Sequence, residues 1–285
     1  MSDTAQRVRA LRAERYARRA VWAGGIATAV LLVLAPLYVL VKYAVSANVA
    51  MGHVAPPIWP DQPTFRYFMY LFTDQRFYAV VVNSLVIALG TVALSAALGV
   101  PAAFVLARYR VPFRKTVLLG LMSVRLFPDI ASVIPVAEFF IRVGAHNTYW
   151  GVIMAHTLLA LPYVIFIAMA AFESIPRDLE EQAMVMGANG FQRFFVVLLP
   201  LTVPALVAAA IYTFLLSWDE FVFSYFLLGL GRISTLTLYL NERLNYSPPQ
   251  NLLAALSLCL SLPVIVFSLA IQKYNITGVT SGAVK

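Results

Sequence analysis

Apolar residues in this chain come in long unbroken blocks, not in short alternating runs. A stretch such as VVVNSLVIALGTVALSAALGV has no period of two, so it does not read as a strand with one buried face. A hydrocarbon layer about 30 Å thick takes roughly 20 such residues per helix. Six blocks meet that length: 21–43, 79–106, 116–141, 149–172, 194–228 and 251–271. The fifth is longer than one crossing needs. The pattern predicts an all-α membrane protein with six transmembrane helices, because a closed barrel would alternate apolar and polar positions in short segments. The first block follows an arginine-rich stretch, as the core of a signal peptide would. LLVLAPLYVLV continues with no small-residue cleavage pattern, so it is read as a helix.

Composition agrees with this reading. With 61% hydrophobic and 12% charged residues, the chain has too little polar surface to cover a soluble globule. Cys259 is the single cysteine, which excludes an internal disulfide framework and a cysteine-based metal site. The net charge is +8, and Arg7, Arg9, Arg12, Arg15, Arg18 and Arg19 cluster at one end. Ahead of an apolar block, such a cluster reads as an orientation signal lying against anionic membrane lipid, and nucleic acid is not an expected partner.

Six crossings place both termini on one side, and the remaining segments sort by Lys and Arg content. Fourteen of the 21 basic residues fall on the side of the termini, including Arg108, Arg110, Arg114, Lys115, Arg177 and Arg193; five fall on the other. The richer side is expected to be the cytoplasm. This divides the chain into a basic cytoplasmic tail (1–20), a first helix (21–43), an external segment (44–78), a five-helix core (79–272) and a cytoplasmic tail (273–285). Residues 44–78 and 229–250 face outward and are rich in proline: Pro56, Pro57, Pro60 and Pro63 in the first, Pro248 and Pro249 in the second.

One polar island interrupts the oily chain, IPRDLEEQAMVMGANGFQRFFVVLLP, on the cytoplasmic side by charge count. Ser174 and Pro176 suit a helix start, and Asp178, Glu180 and Glu181 then crowd the end where the helix dipole favours negative charge. Leu179, Ala183 and Met186 follow at helical spacing and predict one apolar face on a helix of about three turns. Gly187 suits a left-handed end. Asn189 with Gln192 predicts an immediate restart through a capping box, continued by Phe191, Phe194, Phe195 and Leu198 up to Pro200. The arrangement is a helix, a sharp turn and a second helix, the shape of a docking element.

This run resembles the EAA loop of ABC importer permeases. Ile175, Pro176, Leu179, Glu181, Ala183, Gly187, Val197, Leu199 and Pro200 occupy the family's positions, with Ala188 among the small residues after the turn. Gln182 departs, standing where the first alanine is typical. Asn83 and Ser84, the turn RYRVPFRK, SWDEF at 217–221, the run PPIWPDQPTFRYF and the ending TGVTSGAVK are similar to the carbohydrate branch, on the side of the smaller maltose-type subunit. The resemblance implies a type I ABC importer permease fold in the inner membrane, with a coupling helix in the loop 173–197 that seats in an ATPase subunit. It further implies a dimer of such ATPase subunits, a second dissimilar permease subunit and an extracytoplasmic solute-binding protein as partners. ATP and Mg would be used by the ATPase subunits. This chain has no glycine-rich loop ending in Gly-Lys-Ser or Gly-Lys-Thr, so no cofactor is expected on it and it is not expected to be an enzyme.

Other polar residues inside apolar blocks are candidates for a translocation pathway. Arg125 and Asp129 stand four apart around the break LFPD, and charges at membrane depth call for a partner or a wet cavity. Glu138 lies further along the same block. Trp218, Asp219 and Glu220 form a second cluster, where the adjacent carboxylates would point about 100° apart on a helix. His156 lacks metal-ligand spacing to His53 or His146, and Ser217 has no neighbouring histidine in sequence. His156 therefore reads as a core residue, without zinc or serine-hydrolase chemistry. An importer of polyamine or another non-sugar solute, and an ion-coupled carrier, are the competing readings. A carrier would be expected to show paired broken helices and an internal repeat, and no repeat is evident.

Overall fold

A computed structural model describes residues 2–47, 58–60, 62–229, 231–246 and 249–282, with side chains only within 16–270. The side chains of Arg7, Arg9, Arg12, Arg15 and Lys273, the residues His53, Pro56, Pro57 and Pro248, and the side chains of the ending TGVTSGAVK lie outside what is described. The helices in chain order are α1 (Ser2–Val45), α2 (Arg66–Thr73), α3 (Gln75–Arg108), α4 (Arg114–Ser123), α5 (Asp129–Arg142), α6 (Tyr149–Ser174), α7 (Arg177–Val185), α8 (Gly190–Gln192), α9 (Leu199–Asp219), α10 (Val222–Leu228), α11 (Leu236–Asn245) and α12 (Gln250–Gly282). Arg193–Leu198, between α8 and α9, is a π-helical turn.

Five stretches are long and apolar enough to cross a membrane: Arg18–Val45, Gln75–Arg108, Tyr149–Ser174, Gly190–Asp219 and Gln250–Ala270. The predicted third span is not one straight helix. Arg114–Leu126 and Asp129–Arg142 meet at 101°, because Pro128 has no N–H to continue the ladder and pushes Phe127 into extended geometry. The bent pair nonetheless runs from one end of the helix bundle to the other. At its start Arg114 pairs with Glu173 in the last turn of α6. At its finish the chain passes directly into the start of α6, where Thr148 Oγ1 donates to the Ala145 carbonyl at 2.7 Å and accepts from Gly151 N–H at 3.0 Å. Counted as one crossing, it makes six.

The predicted fifth block, 194–228, also divides. The α-helix ends at Asp219, Glu220 is extended, and Val222–Leu228 is a separate short helix. Pro200 accounts for the other end of this span. Its ring crowds the carbonyl four residues back, and the helix ahead of it widens so that Leu199 N–H reaches the Phe194 carbonyl, five residues back.

Two compact units make up the chain, one of residues 1–70 and 248–258, the other of 71–247 and 259–285. In the first, the most apolar stretch of α1 is exposed throughout. The end of that helix is fastened locally: Asn251 Nδ2 donates to the carbonyls of Tyr43 (3.0 Å) and Ser46 (2.6 Å), and Thr64 N–H to Val45 O at 2.7 Å.

The second unit is built on α3 against α6, with α9 packed on both. Gly90 and Gly99 permit the close approach of α3 to α6. A Cβ at Gly90 would lie 2.6 Å from Ile153 Cδ1, and one at Gly99 would lie 2.8 Å from Val164 Cγ1. One apolar cluster joins Val100, Phe104, Val164, Phe172, Phe194 and Leu198; another joins Ile87, Val133, Phe140, Leu159, Phe223 and Leu227. Beyond the start of α3, Asp74 accepts from Arg76 N–H at 2.9 Å as its cap and also holds Tyr239 Oη (2.9 Å) and Arg243 (3.2 Å). Asn83 and Ser84, marked by resemblance, pin the approach to α11: Asn83 Nδ2 donates to Ser234 O at 2.9 Å and Ser84 Oγ accepts from Leu236 N–H at 2.8 Å.

Candidate functional site

Two helices about Gly187 form the polar island. Gly187 has φ +85°, with its N–H on the Met184 carbonyl and that of Ala188 on the Ala183 carbonyl, both at 2.9 Å. The restart is a complete capping box: Gln192 N–H donates to Asn189 Oδ1 (2.8 Å), and Asn189 N–H to Gln192 Oε1 (2.9 Å). Three local details differ from expectation. Ser174 does not cap α7, because it still belongs to α6 and spends its hydroxyl on the Ala171 carbonyl at 2.8 Å. Pro176 stands at the cap position instead, without a side-chain bond. Leu179, Ala183 and Met186 do not share one buried face: Ala183 is buried, Leu179 is partly exposed, and Met186 is 82% exposed because the helix ends at Val185 and the chain turns away.

Glu180, not Glu181, is the inward carboxylate. Its Oε1 accepts from Arg193 Nη1 at 3.1 Å, and its Oε2 lies 3.5 Å from Arg108 Nε. Arg108 also donates through Nη2 to the Ile175 carbonyl at 2.9 Å, and its side chain is only 4% exposed. Thus a carboxylate of α7 ties the end of α3 to the π turn before α9. Behind it, Phe194 packs on Phe104 (4.8 Å between centroids) and Phe172 (6.0 Å). Asp178, Glu181 and Gln182 remain on the outer side, and Met184, Val185 and Met186 form an exposed apolar tip. Leu199 is half-buried and Pro200 exposed at the start of α9.

The break in the third span carries a second polar constellation. Arg125 Nη1 and Asp129 Oδ1 are 3.4 Å apart, with side chains 23% and 47% exposed. The guanidinium lies over the Tyr163 ring at 5.6 Å, and Tyr163 packs on Tyr212 at 4.8 Å. Arg125 Nε makes no hydrogen bond. Glu138 does not belong to this group; it pairs with Arg142 one turn on, both exposed. The two tyrosines come from α6 and α9, which no spacing in the sequence joins to Arg125.

Trp218, Asp219 and Glu220 go three separate ways. Trp218 is buried against Phe214, and its Nε1 donates to the Leu260 carbonyl at 2.9 Å, so it serves packing. Asp219 is exposed at the last residue of α9. Glu220 turns inward, accepting from the N–H groups of Phe223 (2.7 Å) and Ser224 (2.9 Å) and from His156 Nε2 at 3.0 Å. His156, fully buried, has Nδ1 2.7 Å from Ser217 Oγ, which reaches Thr91 Oγ1 at 3.3 Å. Serine, histidine and carboxylate thus meet although His156 lies more than 60 residues from the other two. The hydroxyl is enclosed and already bonded to α3, so the group reads as a structural tie among α3, α6, α9 and α10.

Five long apolar helices and one broken pair define an α-helical membrane protein. The sequence pattern of the family described as binding-protein-dependent transport system inner membrane component matches residues 99–279, and the chain belongs to that family. Its membership makes it a multi-pass inner membrane subunit without catalytic activity of its own. The chain is 31% identical over 229 residues to the trehalose transport system permease protein SugB of Mycobacterium tuberculosis, covering 79% of this chain and 84% of that one. It is also 31% identical to the sulfoquinovosyl glycerol transport system permease protein SmoH of Agrobacterium fabrum, covering 81% and 82%. In fold it is similar to a bacterial ABC transporter involved in the import of the acidic polysaccharide alginate, with a TM-score of 0.78 and 21% identity over 92% of this chain and 98% of that one.

Proposed function

We propose that this chain is the membrane-spanning permease subunit of an ATP-driven importer for a carbohydrate, be it a sugar, an oligosaccharide or a sugar derivative. It would work beside a second, dissimilar permease subunit, over a dimer of ATPase subunits, with an extracytoplasmic solute-binding protein delivering the cargo. The observation that carries this reading is the loop 173–197, a short helix anchored by Glu180 and Ala183 with an unburied apolar tip, in a chain whose relatives are named for trehalose and sulfoquinovosyl glycerol transport. Ile175, Pro176, Leu179, Glu181, Gln182, Ala183, Gly187, Ala188, Leu199 and Pro200 then form or support the ATPase-coupling element. ATP and Mg would act in the partner subunits.

The excess of basic residues on their side supports a cytoplasmic position for this loop and both termini. Residues 79–272 would form the transport core. Arg125 and Asp129, with Tyr163 and Tyr212 beside them, are the pathway candidates supported by partial exposure at membrane depth, and Asp219 is a further one. Such a group suits a polyhydroxyl solute: donors and an acceptor for hydroxyls, and aromatic faces for the ring.

Uptake by sealed vesicles holding the reconstituted complex, with the binding protein outside and ATP inside, tests the proposal. Labelled sugar should accumulate only with ATP and both proteins. Accumulation without ATP, or of polyamine in place of sugar, would overturn it.

A further inference from the structure

Glu180 occupies a place that a surface docking loop does not require. Most of α7 is exposed, yet this one carboxylate is buried and meets two guanidinium groups from two other elements: Arg108 at the end of α3 and Arg193 in the π turn that leads into α9. A buried charge is costly unless paired, and removing one partner leaves the others stranded. Behind the ion pairs, Phe104 of α3, Phe172 of α6 and Phe194 of the π turn pack on one another. Ala183 of α7 and Ile175 just ahead of it are buried as well, and both are apolar.

We infer that Glu180 is the positioning residue through which displacement of α7 is passed simultaneously to α3 and α9. This inference rests on the coupling role proposed for the loop. Glu181 and the exposed tip would meet the ATPase; Glu180 faces the opposite way and fixes how far the spans follow. The π turn holding Arg193 is the compliant element, since its wider hydrogen-bond ladder is a local departure from the α-helices on either side. One hydrogen bond from Arg193 and one ion pair with Arg108 at Glu180, with a hydrogen bond from Arg108 to the Ile175 carbonyl, therefore set the register between a short helix and two long ones.

The test uses the complete importer in vesicles and measures solute transported per ATP hydrolysed, together with the amount of ATPase that co-purifies. Glu180→Gln keeps shape and removes charge. It should retain the ATPase on purification while transport per ATP falls about tenfold, within the range usual for coupling between sites. Glu180→Asp should recover part of the ratio. Arg193→Gln, at a partly exposed position, leaves the Arg108 contact and provides the same readout should Glu180→Gln fail to assemble; a several-fold fall is expected. An unchanged ratio in either assembled variant would overturn the clamp, and so would loss of ATPase binding in proportion to lost transport. A wild-type complex whose uptake ignores ATP would instead overturn the importer reading itself.

Discussion

Gly187 shows how one residue sets the turn between α7 and α8. At φ +85° a β-branched side chain is strained, although the space around it is open. Gly187→Val should therefore act through the backbone, at a cost of about 1–2 kcal/mol. It should leave membrane insertion intact and lower co-purification with the ATPase; unchanged yield would count against the docking role. At the break in the third span, Asp129→Asn removes the charge that faces Arg125 at 3.4 Å. The expected outcome is a raised KM for transport with little change in complex yield, measured in vesicles. Gly187 and the Asn189–Gln192 box were legible in the sequence because each depends on the backbone within a few residues. The inward turn of Glu180 was not, because neighbouring Glu180 and Glu181 differ only in what α3 and the π turn bring near them.

Helices were legible by length and their interruptions only in part. The LFPD break was visible as a proline, but its angle depends on how α5 packs on α10. The fifth block hid a second break, because FVFSYFLL is as apolar as the span before it; what separates the two is Glu220 capping α10 with its own side chain. That cap is held by His156, so Glu220→Ala strands a buried imidazole and frees the start of α10. Thermal unfolding of the purified protein should show a loss of about 3 kcal/mol or more, and Glu220→Gln, which keeps a hydrogen-bonding group, a smaller one. Asp74 has a comparable place at the start of α3. Burial, helped by the hydrogen bond to Asp74, pushes the Tyr239 hydroxyl up to about 12. Between the ordinary tyrosine value near 10 and that value, the unfolded chain loses the proton first, so stability should fall as pH rises through this window. A pH titration of the unfolding midpoint would reveal it, and Tyr239→Phe should flatten the decline.

Over the whole molecule, the charge bias is the feature most plainly written in the sequence, and the bend leaves its parity argument intact because the two ends of the broken span lie at opposite ends of α6. Single cysteines at Arg110 and at Trp59, in a Cys259→Ala background, should label from opposite faces of right-side-out cells. Labelling of both from outside would contradict the proposed orientation. The carbohydrate class was legible only through resemblance, in motifs such as SWDEF; the particular solute and the identity of the partners were not, since they depend on surfaces that meet other chains. The glycine-mediated approach of α3 to α6 has a further mechanical meaning. With Gly90 and Gly99 set against Ile153 and Val164, neither helix has room to slide without unseating a side chain. The pair should travel as one strut during turnover. Spin labels on α3 and α6 would then keep a constant separation through the ATP cycle, while a label on α5, across the 101° joint, would report the stroke.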